Sequence, residues 1–333
     1  MGVNQDFFGI FEGYRELSLR YDVQHQTIWC YYNPIPRPCF TLVLLKDIRR
    51  MYQRIIDYYN TRKEGQEFPI RYLVMNSQIP GIFNLGGDLA LFVKLIKEKN
   101  RKQLYKYANL CVELTYLNFV NLHLPLTTIS LVEGLALGGG FESALASNVL
   151  IATENAEMGF PEIRFNLFPG MGAYNFLART CGIAIAEKMI TSGVTYGAKT
   201  LHKMGIVHLL VNADEGMASV EKYIRQHQRS GNGRRALQQV RQRYHPIDFK
   251  EFTDVIEIWA DAALRLESKD LQLMERLVKA QLTKISKQTS RSLIRTKQDR
   301  RFMTEKDSFP LVDWSGEMIM FDRRKKPDRR LFH

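Results

Sequence analysis

A glycine-rich turn between a strand pattern and a helix pattern is the feature that most limits how this chain folds. Residues 125–133 (PLTTISLVE) predict a buried strand, and three glycines at 138–140 precede a helix that begins near Gly139. Glycines let a backbone approach a ligand closely, and the first N–H groups of a helix lack internal partners. The turn therefore predicts a place for an oxygen that gains negative charge. Close packing of a tight turn is the structural alternative.

Two glutamates follow this turn. Glu142 lies three residues after Gly139, and Glu162 lies twenty residues later in FPEIRF. Two carboxyl groups that face one substrate push their pKa values apart, so that one serves as an acid and the other as a base. Taken alone, Glu142 also suits a helix N-terminus, and Glu162 suits an ion pair with Arg164. Together with the glycines, the pair indicates an enzyme that polarises a carbonyl and moves protons beside it.

A second glycine turn, LGGDL at residues 85–89, comes earlier in the chain. Asp88 is predicted to cap the helix that follows, with Gly86 and Gly87 forming the turn before it. In this turn, the N–H group of Gly87 is predicted to take part in the chemistry. Neither glycine segment has the spacing of a phosphate-binding loop.

The rest of the chain alternates strand and helix patterns and predicts an α/β fold. Residues from 221 onward favour helices, and 239–242 and 248–286 are the predicted helical ranges there. Earlier helices are predicted for Asp47 to Asn60 and for Leu89 to Leu122. Strands are predicted at LSLRYD (17–22), TIWCYYN (27–33), CFTLVLL (39–45), FPIRYLVMN (68–76) and NVLIATE (148–154).

Composition and charge limit the partners and the metal chemistry. The four cysteines and seven histidines show no metal-ligand spacing, so no metal site and a reducing cytoplasm are expected. The chain shows no basic and apolar leader and no apolar run of membrane-spanning length. The net charge of +12 fits nucleic acid, an anionic membrane surface or an acidic protein. The predicted docking patch runs from Arg291 to Arg301, and a solvated basic helix face is the alternative.

The order and spacing of these segments resemble the crotonase superfamily of enoyl-CoA hydratases and isomerases. The resemblance covers residues 40–211 and includes the two glycine turns, FPE at 160–162, PGMGA at 169–173 and the segment at 191–211. It implies a crotonase-type ββα spiral core with a C-terminal helical region. It also implies that the N–H groups of Gly87 and Gly139 form an oxyanion hole and that Glu142 and Glu162 are catalytic.

The departures from a short hydratase resemble the diffusible-signal-factor synthases of Gram-negative bacteria. Those departures are an extension of about forty residues before the core and a longer, basic C-terminal part. This resemblance implies dehydration of a 3-hydroxyacyl chain on acyl carrier protein, thioester cleavage and release of a cis-2-unsaturated fatty acid used in quorum sensing. It also implies a restraining sensor kinase and no cofactor beyond the phosphopantetheine thioester that carries the substrate. A homo-oligomer is expected, while nucleic-acid binding and a membrane span are not.

The change to helical patterns after the turn at 212–216 predicts a core with its strand extension at residues 1–220, helices at 221–303 that complete the acyl site, and a docking tail at 304–333. Gly86, Met171, Trp259 and Leu277 are the predicted substrate-binding residues, although ordinary core packing also suits the last three. Two alternatives stay open: an enoyl-CoA hydratase of fatty-acid metabolism, and a crotonase-fold binding protein without catalysis.

Overall fold

The computed structural model describes residues 5–63 and 65–281 and two short strands, 311–312 and 318–319. The chain forms two units, Met1–Ile285 and Ser286–His333. In the second unit, β11 (Leu311–Val312) and β12 (Met318–Ile319) form an antiparallel pair. The predicted patch from Arg291 to Arg301 lies outside the described residues, as does most of the predicted tail. The predicted domain boundaries at residues 220 and 303 stay predictions.

The larger sheet of the first unit has six strands in the order β1-β2-β3-β5-β7-β10. Its strands are β1 (Leu17–Asp22), β2 (Thr27–Tyr32), β3 (Tyr72–Ser77), β5 (Thr127–Val132), β7 (Val149–Thr153) and β10 (Leu209–Val211). The β1–β2 pair is antiparallel, and the other pairs are parallel. Side chains alternate between the faces of such a sheet, so that Leu73 and Met75 join the main core while Tyr72 and Val74 pack toward the opposite face.

A smaller four-stranded sheet places the candidate site. Its strands, in sheet order, are β4 (Ile82–Asn84), β6 (Leu135–Leu137), β8 (Glu157–Gly159) and β9 (Thr195–Gly197). The first three are parallel neighbours, and the fourth is antiparallel to β8. The carboxyl ends of parallel strands meet at one edge, so the segments after β4, β6 and β8 lie side by side. Those three segments contain the two glycine turns and Glu162.

Helices surround the two sheets. They are α1 (Gln5–Phe8), α2 (Leu42–Asn60), α3 (Leu89–Lys97), α4 (Arg101–Phe119), α5 (Gly139–Leu145), α6 (Ala173–Cys181), α7 (Ile183–Ser192), α8 (Ala198–Lys203), α9 (Gly216–Arg229), α10 (Gly231–Tyr244), α11 (Phe249–Leu264) and α12 (residues 268–281). Side-chain caps fix several helix starts, such as the capping box of Asp248 and Glu251 on α11. Within the described part of the chain, no helix combines the length and apolar character needed to cross a bilayer. This mixed architecture with C-terminal helices confirms the predicted fold class.

One predicted strand is wrong. Residues 39–45 (CFTLVLL) contain only an isolated bridge between Phe40 and Gly87, and α2 begins at Leu42. The Thr41 side chain accepts a hydrogen bond from the Leu44 N–H and caps the helix. Leu44 and Leu45 belong to the buried stripe of α2, while Leu42 is largely exposed, so the apolar run has helical rather than alternating burial.

Candidate active site

The second glycine turn links β6 to α5 and leaves no room for side chains. Gly138 has φ +51°, and a Cβ placed on it would lie 2.0 Å from Oε1 of Glu162. A Cβ on Gly140 would lie 2.1 Å from the carbonyl oxygen of Asn84. Glycine is therefore required at 138 by backbone conformation and at both positions by close approach. The same geometry seats the carboxyl group of Glu162 directly against the turn.

The first glycine turn abuts the second. Gly86 has φ +89°, and a Cβ on it would lie 2.7 Å from the Leu137 carbonyl oxygen and 2.9 Å from the Gly139 nitrogen. A Cβ on Gly139 would in turn lie 3.6 Å from the Gly87 nitrogen. The backbones of the two turns are thus neighbours, although they are far apart in the sequence.

The N–H groups of Gly87 and Gly139 are available to a ligand. Among the residues that the structure describes, neither N–H donates a hydrogen bond to a protein acceptor. Both glycines line the same cavity. Two adjacent backbone donors with no internal acceptor are what an oxyanion requires, and one such donor is worth about 3 kcal/mol in a transition state.

Asp88 anchors the first turn through contacts that the sequence does not reveal. Its carboxylate accepts two 2.8 Å hydrogen bonds from Arg37 and caps α3 at the Leu91 N–H. The Asp88 N–H donates to the Tyr107 hydroxyl, which donates to the Phe40 carbonyl oxygen. The N-capping role predicted for Asp88 is present. The sequence did not predict the roles of Arg37 and Tyr107, because only the fold brings them to this turn.

Glu142 lies on the first turn of α5 and is buried. Its Oε1 accepts hydrogen bonds from the N–H groups of Met171, at 2.6 Å, and Ala173, at 2.9 Å. Burial raises the pKa of Glu142 to about 7, and the two backbone donors partly oppose this rise. The carboxyl group is therefore held in a fixed position and titrates near neutral pH.

Glu162 begins a 3-10 turn, Glu162–Phe165, which follows β8 after two intervening residues. The residue is partly exposed, but its Oε2 is buried and has no hydrogen-bond partner in the described chain. Burial raises the pKa of Glu162 well above its ordinary value, and the nearby charge of Glu142 raises it further. Among the described residues, Glu162 forms no ion pair with Arg164, and Arg164 is not among the causes of its pKa shift. Glu162 is suited to carry a proton.

These raised pKa values predict that the site costs stability at neutral pH. A glutamate whose folded pKa exceeds its unfolded pKa binds its proton more tightly in the folded state, so the free energy of unfolding falls as pH rises above about 4.5. We expect Glu162→Gln to increase the free energy of unfolding near pH 8. Each kcal/mol of that increase should raise the melting temperature by roughly 2–4 °C. The gain should shrink near pH 5. Thermal unfolding at both pH values checks this. A melting temperature for Glu162→Gln that is the same as or lower than that of the wild type near pH 8 would contradict it.

The cavity at this site has a volume of about 300 Å³ and is lined mainly by apolar side chains. Of the residues predicted for the site, seven line the cavity: Gly87, Gly139, Glu142, Glu162, Met171, Trp259 and Leu277. Gly86 lies behind the two donors rather than on the wall. Trp259 of α11 packs on Phe92 with ring centroids 5.1 Å apart, and a Cβ on Gly170 would lie 2.8 Å from its indole ring. Cys111 also lines the wall, although no sequence pattern singled it out.

Metal-ligating side chains are not clustered in the described residues. No group of three or more His, Cys, Asp or Glu there is placed to hold a metal ion. Burial raises the pKa of the Cys111 thiol well above its ordinary value, so this cysteine is a neutral wall residue.

Comparison with known proteins identifies the family of this chain. Residues 62–246 match the enoyl-CoA hydratase/isomerase family. Human mitochondrial methylglutaconyl-CoA hydratase is 29% identical over 180 residues, which are 54% of this chain and 50% of that protein. The chain thus spans about half the length of the curated relatives it matches.

Two solved structures share the fold. Enoyl-CoA hydratase from Bacillus halodurans superposes with a TM-score of 0.65 at 16% identity, over 79% of this chain and all of that one. An enoyl-CoA hydratase/isomerase from Xanthobacter autotrophicus Py2 gives 0.64 at 18% identity, over 88% of this chain and all of that one. With the family match covering more than half of its residues, this chain belongs to the enoyl-CoA hydratase/isomerase family of the crotonase superfamily.

Proposed function

We propose that this chain dehydrates a 3-hydroxyacyl group on acyl carrier protein and then cleaves the thioester, releasing a cis-2-unsaturated fatty acid as a quorum-sensing signal. The supporting observation is that two buried carboxyl groups with raised pKa values share one apolar cavity with two available N–H donors. The resemblance to the diffusible-signal-factor synthases supplies the substrate. The phosphopantetheine thioester is part of that substrate, and no separate cofactor is proposed.

In the dehydration step, Glu142 acts at C2 and Glu162 acts at the adjacent carbon, C3. The thioester oxygen accepts hydrogen bonds from the N–H groups of Gly87 and Gly139, which stabilise the enolate. Glu142, as a carboxylate, takes the C2 proton, and Glu162, which holds its proton, gives it to the departing C3 hydroxyl. Water leaves, the C2–C3 double bond forms, and both carboxyl groups then exchange protons with solvent. Burial raises the pKa of both carboxyl groups, and the charge of Glu142 raises the pKa of Glu162 further, which supports Glu162 as the group that holds the proton.

Thioester cleavage reuses the same groups. A water attacks the carbonyl carbon while a glutamate carboxylate takes one of its protons. The two N–H groups hold the tetrahedral oxyanion, and the carbon–sulfur bond then breaks as the thiol leaves with a proton. Net consumption is one thioester and one water, and the products are one free acid and one thiol.

The apolar wall supports a fatty acyl substrate. Met171 precedes α6, Trp259 comes from α11 and Leu277 comes from α12, so helices distant in sequence close one slot. Burying each methylene of an acyl chain contributes about 0.8 kcal/mol. We propose that these three side chains contact the acyl group.

The net charge supports an acidic carrier partner, because complementary charge speeds docking. A sensor kinase that restrains activity and a homo-oligomeric state belong to the same proposal and follow from the family resemblance. A cytoplasmic location, expected from the cysteine pattern, is also part of it. The proposal includes no nucleic-acid partner.

A CoA-linked hydratase is the second candidate function. It is favoured by the family match and by the hydratase name of the human relative. Both functions use the same two glutamates, so the product and the carrier distinguish them. Hydration of crotonyl-CoA without release of a free acid favours this second candidate.

Expression in a bacterial host that lacks the gene tests the proposal. Mass spectrometry of the released fatty acids should find a cis-2-unsaturated free acid with the wild-type chain and none with Glu142→Ala. Folding of the variant, checked by circular dichroism, is the control. Equal amounts of this acid from both strains, or none from either, would contradict the proposal.

A further inference from the structure

A second, smaller cavity lies behind the active-site wall. Its volume is about 20 Å³, and it shares two lining residues, Cys111 and Met171, with the larger cavity. Its other walls come from α2, α4, the end of β2 and Ser143, the residue after Glu142. The two cavities are thus separated by one thiol and one thioether side chain.

Polar side chains without partners line this second cavity. Asn118 is 4% exposed, and its Nδ2 donates to Ser147 Oγ at 3.0 Å while its Oδ1 has no partner in the described chain. Tyr32 and Tyr52 are each 3% exposed, and neither phenolic hydroxyl forms a hydrogen bond with another described residue. Reversing the Asn118 amide would leave the nitrogen unpartnered instead. A buried polar group without a partner costs about 1–3 kcal/mol.

The size and lining of the cavity fit one water molecule. A water needs at least about 10–15 Å³ of accessible volume and two to four polar partners. Asn118 Oδ1 can accept from it, and Tyr32 and Tyr52 can donate to it. The Thr115 hydroxyl already donates to the Cys111 carbonyl oxygen, so its oxygen is left as a further acceptor.

We propose that this cavity binds one water and supplies it to the thioester during the hydrolysis step. This inference rests on the proposed function. Met171 contacts the oxyanion turn, since a Cβ on Gly139 would lie 2.5 Å from its sulfur, and an unbranched thioether changes rotamer easily.

The water proposed for the second cavity takes part only in the second chemical step, thioester cleavage. Dehydration releases a water and consumes none, whereas thioester cleavage consumes one: its oxygen bonds to the carbonyl carbon as the carbon–sulfur bond breaks. One of its protons passes to a glutamate carboxylate, and the departing thiolate is protonated. Blocking the cavity therefore separates two activities that share the same glutamates.

Two variants test this in the full-length protein with a 3-hydroxyacyl carrier-protein substrate. Thr115→Ile replaces the hydroxyl with a larger ethyl group in the wall of the cavity. The double variant Tyr32→Phe with Tyr52→Phe removes two donors and leaves the ring volume unchanged. Thr180→Ile is the matched control, because Thr180 makes the same backbone hydrogen bond on α6 at an exposed position. We expect both cavity variants to release free acid about tenfold more slowly and to accumulate the 2-enoyl thioester, with dehydration within about twofold of wild type.

A high-resolution crystal structure gives a readout that does not depend on activity. It should show a water within hydrogen-bond distance of Asn118 Oδ1 in the wild type and none in Thr115→Ile. Unchanged acid release, an equal fall in both steps, or a wild-type cavity without water would overturn the inference. A wild type that dehydrates but never releases acid would refute the thioesterase half of the proposed function and the role of this water with it, while the crystal structure would still decide whether the water is bound.

Discussion

Glu142→Gln and Glu162→Gln are each expected to lower the rate of 2-enoyl formation by about 10²–10⁴-fold, the range typical of a lost general acid or base. Glutamine keeps the shape of the side chain and can still accept from the Met171 N–H at position 142. It cannot take the C2 proton or deliver one at C3. Mass spectrometry of the thioester pool under single-turnover conditions measures the rate.

Glu157→Gln is the matched control for these substitutions. Glu157 is an exposed glutamate on β8, five residues before Glu162, and does not line the cavity. Its substitution should leave the rate within about twofold of wild type, as surface changes usually do. A rate for either Glu142→Gln or Glu162→Gln that matched this control would remove that glutamate from the mechanism.

Gly138→Ala is expected to lower activity by at least about 10²-fold although it replaces no catalytic side chain. The new methyl group would lie 2.0 Å from Oε1 of Glu162, so the carboxyl group has to leave its seat against the turn. The alanine would also occupy φ +51°, which is strained for any residue with a Cβ. Steady-state kinetics should show the loss mainly in kcat.

Gly182→Ala separates the effect of backbone strain from the effect of the contact with Glu162. Gly182 also has a positive φ, +87°, but a Cβ there would meet no atom within 4 Å. This control should lose stability through backbone strain and keep its activity within about twofold. If Gly138→Ala retained the same activity as Gly182→Ala, the contact between the turn and Glu162 would not position the carboxyl group.

The order of segments in the sequence predicted which parts of the chain meet, because parallel strands bring their carboxyl ends to one edge. The nineteen residues between Glu142 and Glu162 contain the rest of α5, then β7 of the larger sheet and β8 of the smaller sheet, so the chain returns to the same edge. Local signals were sufficient for this: glycines mark the turns, and Asp88 marks a helix start. The roles of the two glutamates and of the two N–H groups stay predictions until variants are measured.

Contacts between distant segments were beyond the sequence. Arg37 reaches Asp88 and Tyr107 supports the same turn, yet nothing local to either residue indicates a partner. The polar lining of the second cavity was missed for the same reason, since Tyr32 and Asn118 lie on separate elements. The false strand at residues 39–45 had a different cause. A short apolar run fits a buried strand and a helix start equally well, and here the Thr41 cap decided in favour of the helix.

The most direct test of the central claim is a reaction of the purified chain with a 3-hydroxyacyl group on acyl carrier protein. Mass spectrometry should find the 2-enoyl thioester first and the free cis-2-unsaturated acid after it, with neither product when both glutamates are changed to glutamine. Substrate recovered unchanged from the wild-type reaction, or the same products from the double variant, would contradict the account.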